Sequence, residues 1–284
     1  MGKRKADSGS GNRNKKYKVS GFIDPNTSGV YATCNRGREL GCRKELVRLL
    51  SEKIEELYPN WKEQIGDDES DKESRESKEE GEKKELTVEE QVENELKLMK
   101  KEKSAKGHPL LVPMELGCEC LVFVKTKKPA VAVDLVHSLC EEAYESKQKN
   151  TRFTQKLSPI ESSVSASAEE LEKLAKTVLK PHFHQEDQKP VKFAIQVTRR
   201  NFNSLEKEDI IKQIAKLVGT EHGHSVDLKN YDKLIMVECY KTNVGMAVVS
   251  DFQKFDKFNL QQIFEKASES VDPETKSRVR SEGN

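Results

Sequence analysis

Residues 191–251 constrain this chain more than any other stretch. An alternating strand, V-K-F-A-I-Q-V-T, runs straight into the paired bases Arg199 and Arg200. Phe193, Ile195 and Val197 face one way along it, while Lys192, Ala194, Gln196 and Thr198 face the other. A short amphipathic helix follows, burying Ile210, Ile214, Leu217 and Val218 and stopping at Gly219. Ser204 is expected to cap it, and Glu206, Glu208 and Asp209 complement its dipole. Two more strands, 234–240 and 244–249, are joined by the polar turn of Lys241, Thr242 and Asn243. Upstream, Ser167 and Glu170 form a capping box for a helix whose stripe is Leu171, Leu174, Ala175, Val178 and Leu179. Lys180-Pro181 is expected to stop that helix. These elements predict an α+β domain over 151–267.

The chain has 284 residues. At roughly 150 residues per domain, a second unit is expected. Residues 21–150 supply it. A strand at 30–34 exits through Arg36 and Arg38 into a helix that carries Cys42, Leu46, Leu49, Leu50, Ile54 and Leu57 on one face. Pro59 ends the helix. The run 118–126 reads as a buried strand, and Asp134 is expected to cap a helix with Leu135, Leu139 and Ala143 inside. Strand, helix, insert, strand, helix, strand predicts a ferredoxin-like sandwich.

Three stretches resist packing. Residues 1–20 hold seven bases against the single acid Asp7, and are read as a disordered tail. Lys3-Arg4 and the Lys15, Lys16, Lys18 group are spaced like a two-part nuclear import signal, so nucleus or nucleolus is expected, with cytoplasm as the alternative. A solvated tail that brushes RNA is an equally open reading. Residues 62–106 form an acidic insert whose stretch 67–85 has almost no apolar residue and is expected to be disordered. Within it, Thr87 and Glu90 form a capping box that predicts a helix over 87–100, with Val88, Val92, Leu96 and Met99 in a stripe. That stripe is expected to pack back on its own domain, with docking of a partner as the alternative. The tail 268–284 is also expected to be disordered.

The net charge is only +1, so any nucleic-acid surface must be local. No segment approaches the apolar length of a membrane span. Arg199, Arg200 and Asn201 leave a strand end, where paired guanidiniums can grip phosphates with forked donors. Lys192, Lys241 and Asn243 lie on the same predicted sheet, and Lys125, Lys127 and Lys128 cluster at the end of the first-domain strand. The residues alone leave a solvated charged edge as the competing reading. Cys118 and Cys120 alternate along one predicted strand face but lack a second pair, so all six cysteines read as core hydrophobes in a reduced compartment. His182, His184, His222 and His224 have no ligand partners at metal-site spacing, and no metal or cofactor is implied. The sequence contains no P-loop, no nucleophile elbow, no R-x-x-G-x-G coenzyme A loop and no N-P-P-Y methyltransferase motif.

The runs V-T-R-R-N-F-N (197–203), V-D-L-K-N-Y-D-K-L-I-M-V-E-C (226–239) and K-T-N-V-G-M-A-V-V (241–249) resemble the fungal THUMP-domain tRNA acetylation adaptors. So do S-G-F-I-D-P-N-T-S-G-V-Y-A-T-C-N (20–35) and C-E-C-L-V-F-V-K-T-K-K-P (118–129). The resemblance implies a non-catalytic protein with a ferredoxin-like domain and a THUMP domain that bind the tRNA acceptor end. It also implies a partner, a large RNA cytidine acetyltransferase that carries the acetyl-coenzyme A and ATP chemistry. The implied product is N4-acetylcytidine in the D arm of serine and leucine tRNAs. On that expectation Arg199 and Arg200 are phosphate clamps. A general tRNA-binding protein and a stand-alone enzyme remain as alternatives.

Overall fold

A computed structural model describes residues 21–65, 108–220 and 222–271. The expected tail 1–20, the insert beyond Ile65 with its 87–100 helix, and the chain after Val271 lie outside them. The first sheet holds β1 (Ser28–Thr33), β2 (Leu111–Met114), β3 (Leu121–Thr126) and β4 (Leu157–Ile160) in the order β2-β3-β1-β4. Every pairing is antiparallel. Strand alternation gives the sheet two apolar faces. Val30, Ala32, Val122 and Val124 meet the buried stripes of α1 (Glu39–Leu57) and α3 (Ala132–Ser146), including Leu46, Leu50, Leu135 and Val136. Tyr31, Leu121, Phe123 and Ile160 turn the other way, onto Ile23, Leu116 and Tyr240.

The second sheet orders β5 (Ser162–Ser165), β6 (Lys192–Arg200), β7 (Ser225–Val226), β8 (Lys233–Tyr240) and β9 (Asn243–Ser250) as β5-β9-β8-β6-β7. β6 runs parallel to β8 and β7, and the other pairs are antiparallel. One face is covered by α4 (Ala168–Phe183) and α5 (Lys207–Val218), through Leu171, Leu174, Ile210 and Ile214 packed on Phe193, Val197, Ile235 and Val237. From the opposite face Ala194, Leu234, Met236, Ala247 and Val249 join the core of the first unit. The two sheets therefore share a continuous apolar layer.

Several boundaries differ from the sequence reading. Residues 151–160 belong with the first sheet, because β4 pairs with β1, with Tyr31 opposite Ser158. The chain then passes through Glu161 into β5 of the second sheet. After β9 the chain returns to the first unit, where Phe252, Phe255, Phe258, Leu260 and Ile263 are buried. Each such phenylalanine contributes about 2 kcal/mol of burial, which outweighs the polar character of the intervening residues. The closing helix α6 (Leu260–Val271) extends past residue 268. The short helix α2 (Trp61–Ile65) occupies the first residues assigned to the insert, because buried Trp61 packs at a tilt against His108 with ring centroids 4.4 Å apart.

Helix ends also moved. Ser167 caps α4 as expected, its Oγ accepting from Glu170 N at 3.2 Å. The helix runs through Pro181 to Phe183, since Phe183 is fully buried and meets Phe193 edge-on at 5.6 Å. Glu206, not Ser204, is the N-cap of α5. Val131, not Asp134, is the N-cap of α3, and the Asp134 carboxylate instead accepts from the Tyr58 hydroxyl at 3.2 Å. Cys118 and Cys120 precede β3 in a turn, with Cys120 at φ 60°, so they do not alternate along a strand.

Candidate nucleic-acid interface

The paired arginines point to opposite faces of the second sheet, as consecutive strand residues must. Arg199 lies on the helix side. Its Nη1 donates to Leu205 O and to Glu206 Oε2, each at 3.0 Å, and it stays 31% exposed. Arg200 points toward the first unit, where its Nη1 meets Glu238 Oε2 at 3.1 Å. The side chain of Glu238 is only 3% exposed. The two guanidiniums are similarly exposed, at 31% and 29%, but Arg199 pairs with an exposed carboxylate on the helix side and Arg200 with a buried one toward the first unit. Asn201 follows them at φ 50° and is exposed.

The other expected contacts are dispersed. Asn243 is buried, and its Nδ2 donates to Ile23 O and Ser163 Oγ, each at 3.2 Å. Lys241 donates from Nζ to Gly21 O at 2.7 Å and lies 4.6 Å from the Phe22 ring centroid. These two side chains fasten the segment that enters β1. Lys192 sits at the other end of β6, about 26 Å from Arg200 at strand rise, and pairs with Asp227 at 3.6 Å. Lys125 is half-buried on β3, while Lys127 and Lys128 are exposed just beyond it. They lie at the opposite end of β3 from Leu121, which packs with Tyr240. The nine expected residues do not form one patch.

The structure gathers a different set at the junction of the two sheets. Glu238 from β8 is surrounded by Arg200 and Thr198 from β6 and by Ser158 and Lys156 from the first-sheet side. Burial pushes the Glu238 carboxyl up, and Arg200, Ser158, Lys156 and Thr198 oppose that shift. Lys156 is half-buried, and its pKa is lowered by burial, with Arg200 and the exposed Lys257 adding to the effect and Glu238 opposing it. The hydroxyl of Tyr31 is buried and unpartnered among the described residues, and its pKa is raised by burial and then by Glu238. Two cations, Arg200 and Lys156, thus face one buried carboxylate, with Lys257 beside Lys156. The excess positive charge at this junction suits a phosphate backbone. Sequence reasoning missed Glu238, although a carboxylate inside the apolar run L-I-M-V-E-C-Y was a visible signal.

Two of the histidines, His184 and His224, are held by structural hydrogen bonds. His224 is buried, its Nδ1 3.2 Å from Val191 N and its Nε2 2.9 Å from Phe183 O. The ring of His184 reaches Val218 O at 3.1 Å. No helix among the described residues is long and apolar enough to cross a membrane.

A family model described as THUMP domain matches residues 165–249, from the end of β5 through most of β9. The chain is 47% identical over 278 residues to "tRNA acetyltransferase TAN1" of Saccharomyces cerevisiae, covering 91% of this chain and 92% of that protein. It is 29% identical over 254 residues to "THUMP domain-containing protein 1" of Bos taurus, covering 87% of this chain and 66% of that protein. Among solved structures, PH1313 from Pyrococcus horikoshii Ot3 aligns with a TM-score of 0.43 and 14% identity, over 78% of this chain and 55% of that chain.

Proposed function

Because the chain belongs to the family of fungal THUMP-domain tRNA acetylation proteins, we propose that it is the tRNA-binding adaptor of such a system. In this reading a separate large RNA cytidine acetyltransferase performs the chemistry. The adaptor presents serine and leucine tRNAs so that N4-acetylcytidine forms in their D arm. The yeast relative is named an acetyltransferase. The sequence of this chain has no R-x-x-G-x-G coenzyme loop, which supports assigning the acetyl transfer to the partner.

One observation carries the reading. Arg200 and Lys156 at the buried carboxylate of Glu238, with Lys257 beside Lys156, draw cations from both units, with Arg199 and Asn201 at the adjoining exit of β6. The β-α-β-β-α-β order of residues 28–160 supports reading the first unit as ferredoxin-like. A continuous core shared by the two units holds their contact groups in register. An L-shaped RNA gripped there has its distant D arm held at a set distance. That converts a two-body encounter with the enzyme into an effectively intramolecular one. Mass analysis of nucleosides from serine and leucine tRNAs, with and without this gene, tests the reading. Loss of N4-acetylcytidine without the gene is expected, and unchanged levels would remove the chain from the modification.

A further inference from the structure

A hollow of about 660 Å³ lies between α1 and the strand side of β2. Leu40, Val47 and Pro113 give it an apolar floor, and Arg43, Lys44 and Arg48 give it a cationic rim. Leu40 is 56% exposed, unusual for a leucine on a helix otherwise packed on a core. β2 is the outer strand of its sheet, so one of its edges has no neighbour among the described strands. The rim charges are incompletely offset. Glu115 is 3.9 Å from Arg43, Glu52 is 2.8 Å from Arg48, and Lys44 has no ion pair among the described residues.

We propose that the occupant of this hollow is the chain's own segment 87–99. Four features of the sequence and fold point to it. Its apolar residues Val88, Val92, Leu96 and Met99 recur at helical spacing behind the capping box of Thr87 and Glu90. Val88 and Met99 are eleven positions apart, as are Leu40 and Ser51 at the two ends of the α1 wall. As helices both spans measure about 16 Å. Glu89, Glu90, Glu93 and Glu95 complement the cationic rim. Finally, the segment is tethered at the hollow, since His108, where the described chain resumes, is one of its lining residues. The nine positions from Met99 to His108 reach up to about 30 Å, enough to lay the stripe along α1. The stripe then covers Leu40 and shields the open edge of β2.

Hydrogen exchange on the full-length protein tests this. Amides of 87–99 are expected to exchange at least about 10-fold slower than unstructured peptide, and Leu96→Asp should abolish that protection. Lys44→Glu should reduce it as well, and adding Glu93→Lys should restore it. Protection absent in the unaltered chain, or untouched by Leu96→Asp and Lys44→Glu alike, overturns the proposal. So does protection that appears only as the protein dimerises, which would make a second copy the occupant. If Lys44→Glu weakens tRNA binding while leaving exchange at 87–99 unchanged, the hollow belongs to RNA and the proposal fails.

Discussion

Arg200 Nη1 reaches diagonally across two parallel strands to Glu238 Oε2 at 3.1 Å, although the register partner of Glu238 is Thr198. Both side chains point toward the first unit. The bond satisfies a carboxylate that burial alone would neutralise, and it places a cation at the junction of the two sheets. Glu238→Gln isolates the balance between these effects. Burial raises the folded-state pKa of Glu238 above its unfolded value. Its contribution to stability is then complete below the unfolded value and is lost as pH climbs through the folded one. Urea unfolding from about pH 4 to 8 should show the native chain losing stability relative to the Gln variant as pH rises. A gap running the other way would mean that Arg200 outweighs burial.

Arg199→Ala should separate binding from folding. The side chain is 31% exposed and pairs with a Glu206 that is 68% exposed, so its removal should cost about 1 kcal/mol or less. If Arg199 contacts one phosphate, tRNA affinity should fall and the slope of log affinity against log salt should shrink by about 1. Arg200→Ala should behave differently, destabilising the fold by about 2–3 kcal/mol because it strands a buried carboxylate. An Arg199→Ala protein with unchanged affinity and salt slope would take this residue out of the interface.

The contrast between those two residues marks what the sequence could disclose. Alternation along 192–200 predicted which apolar residues of β6 face the helices, because a half-buried strand writes its period into the chain. The same alternation separates Arg199 from Arg200, but adjacency in sequence suggested a shared grip. Lys241 and Asn243 have polar side chains in a hairpin turn, where exposure is the ordinary outcome. Only the fold shows that the segment 21–27 crosses this turn and claims both of them. Lys156 was not legible as a neighbour of Arg200 and Lys257, since it precedes the second sheet in sequence and meets them only through β4 and the returning phenylalanine segment. The N-cap at Ser167 was legible because its capping interaction is local, whereas the overrun of α4 past Pro181 depends on the distant Phe193.

Asn243→Ala tests the structural role of that turn. Its Nδ2 bonds tie Ile23 and Ser163 to the second sheet, while its own Oδ1 finds no partner among the described residues. The net loss should be about 2 kcal/mol, with increased exchange of the backbone around residues 21–27. If Asn243 were instead an RNA contact, the variant would keep its stability and lose affinity.

Reconstitution with purified components tests the adaptor account most directly. Serine or leucine tRNA, acetyl-coenzyme A and ATP are incubated with this chain, with the separate RNA cytidine acetyltransferase, or with both. Nucleoside mass analysis then counts N4-acetylcytidine. The account predicts none with the chain alone, little with the acetyltransferase alone, and efficient formation with both, because orientation is what the adaptor supplies. Repeated turnover by this chain in the absence of the acetyltransferase would contradict it.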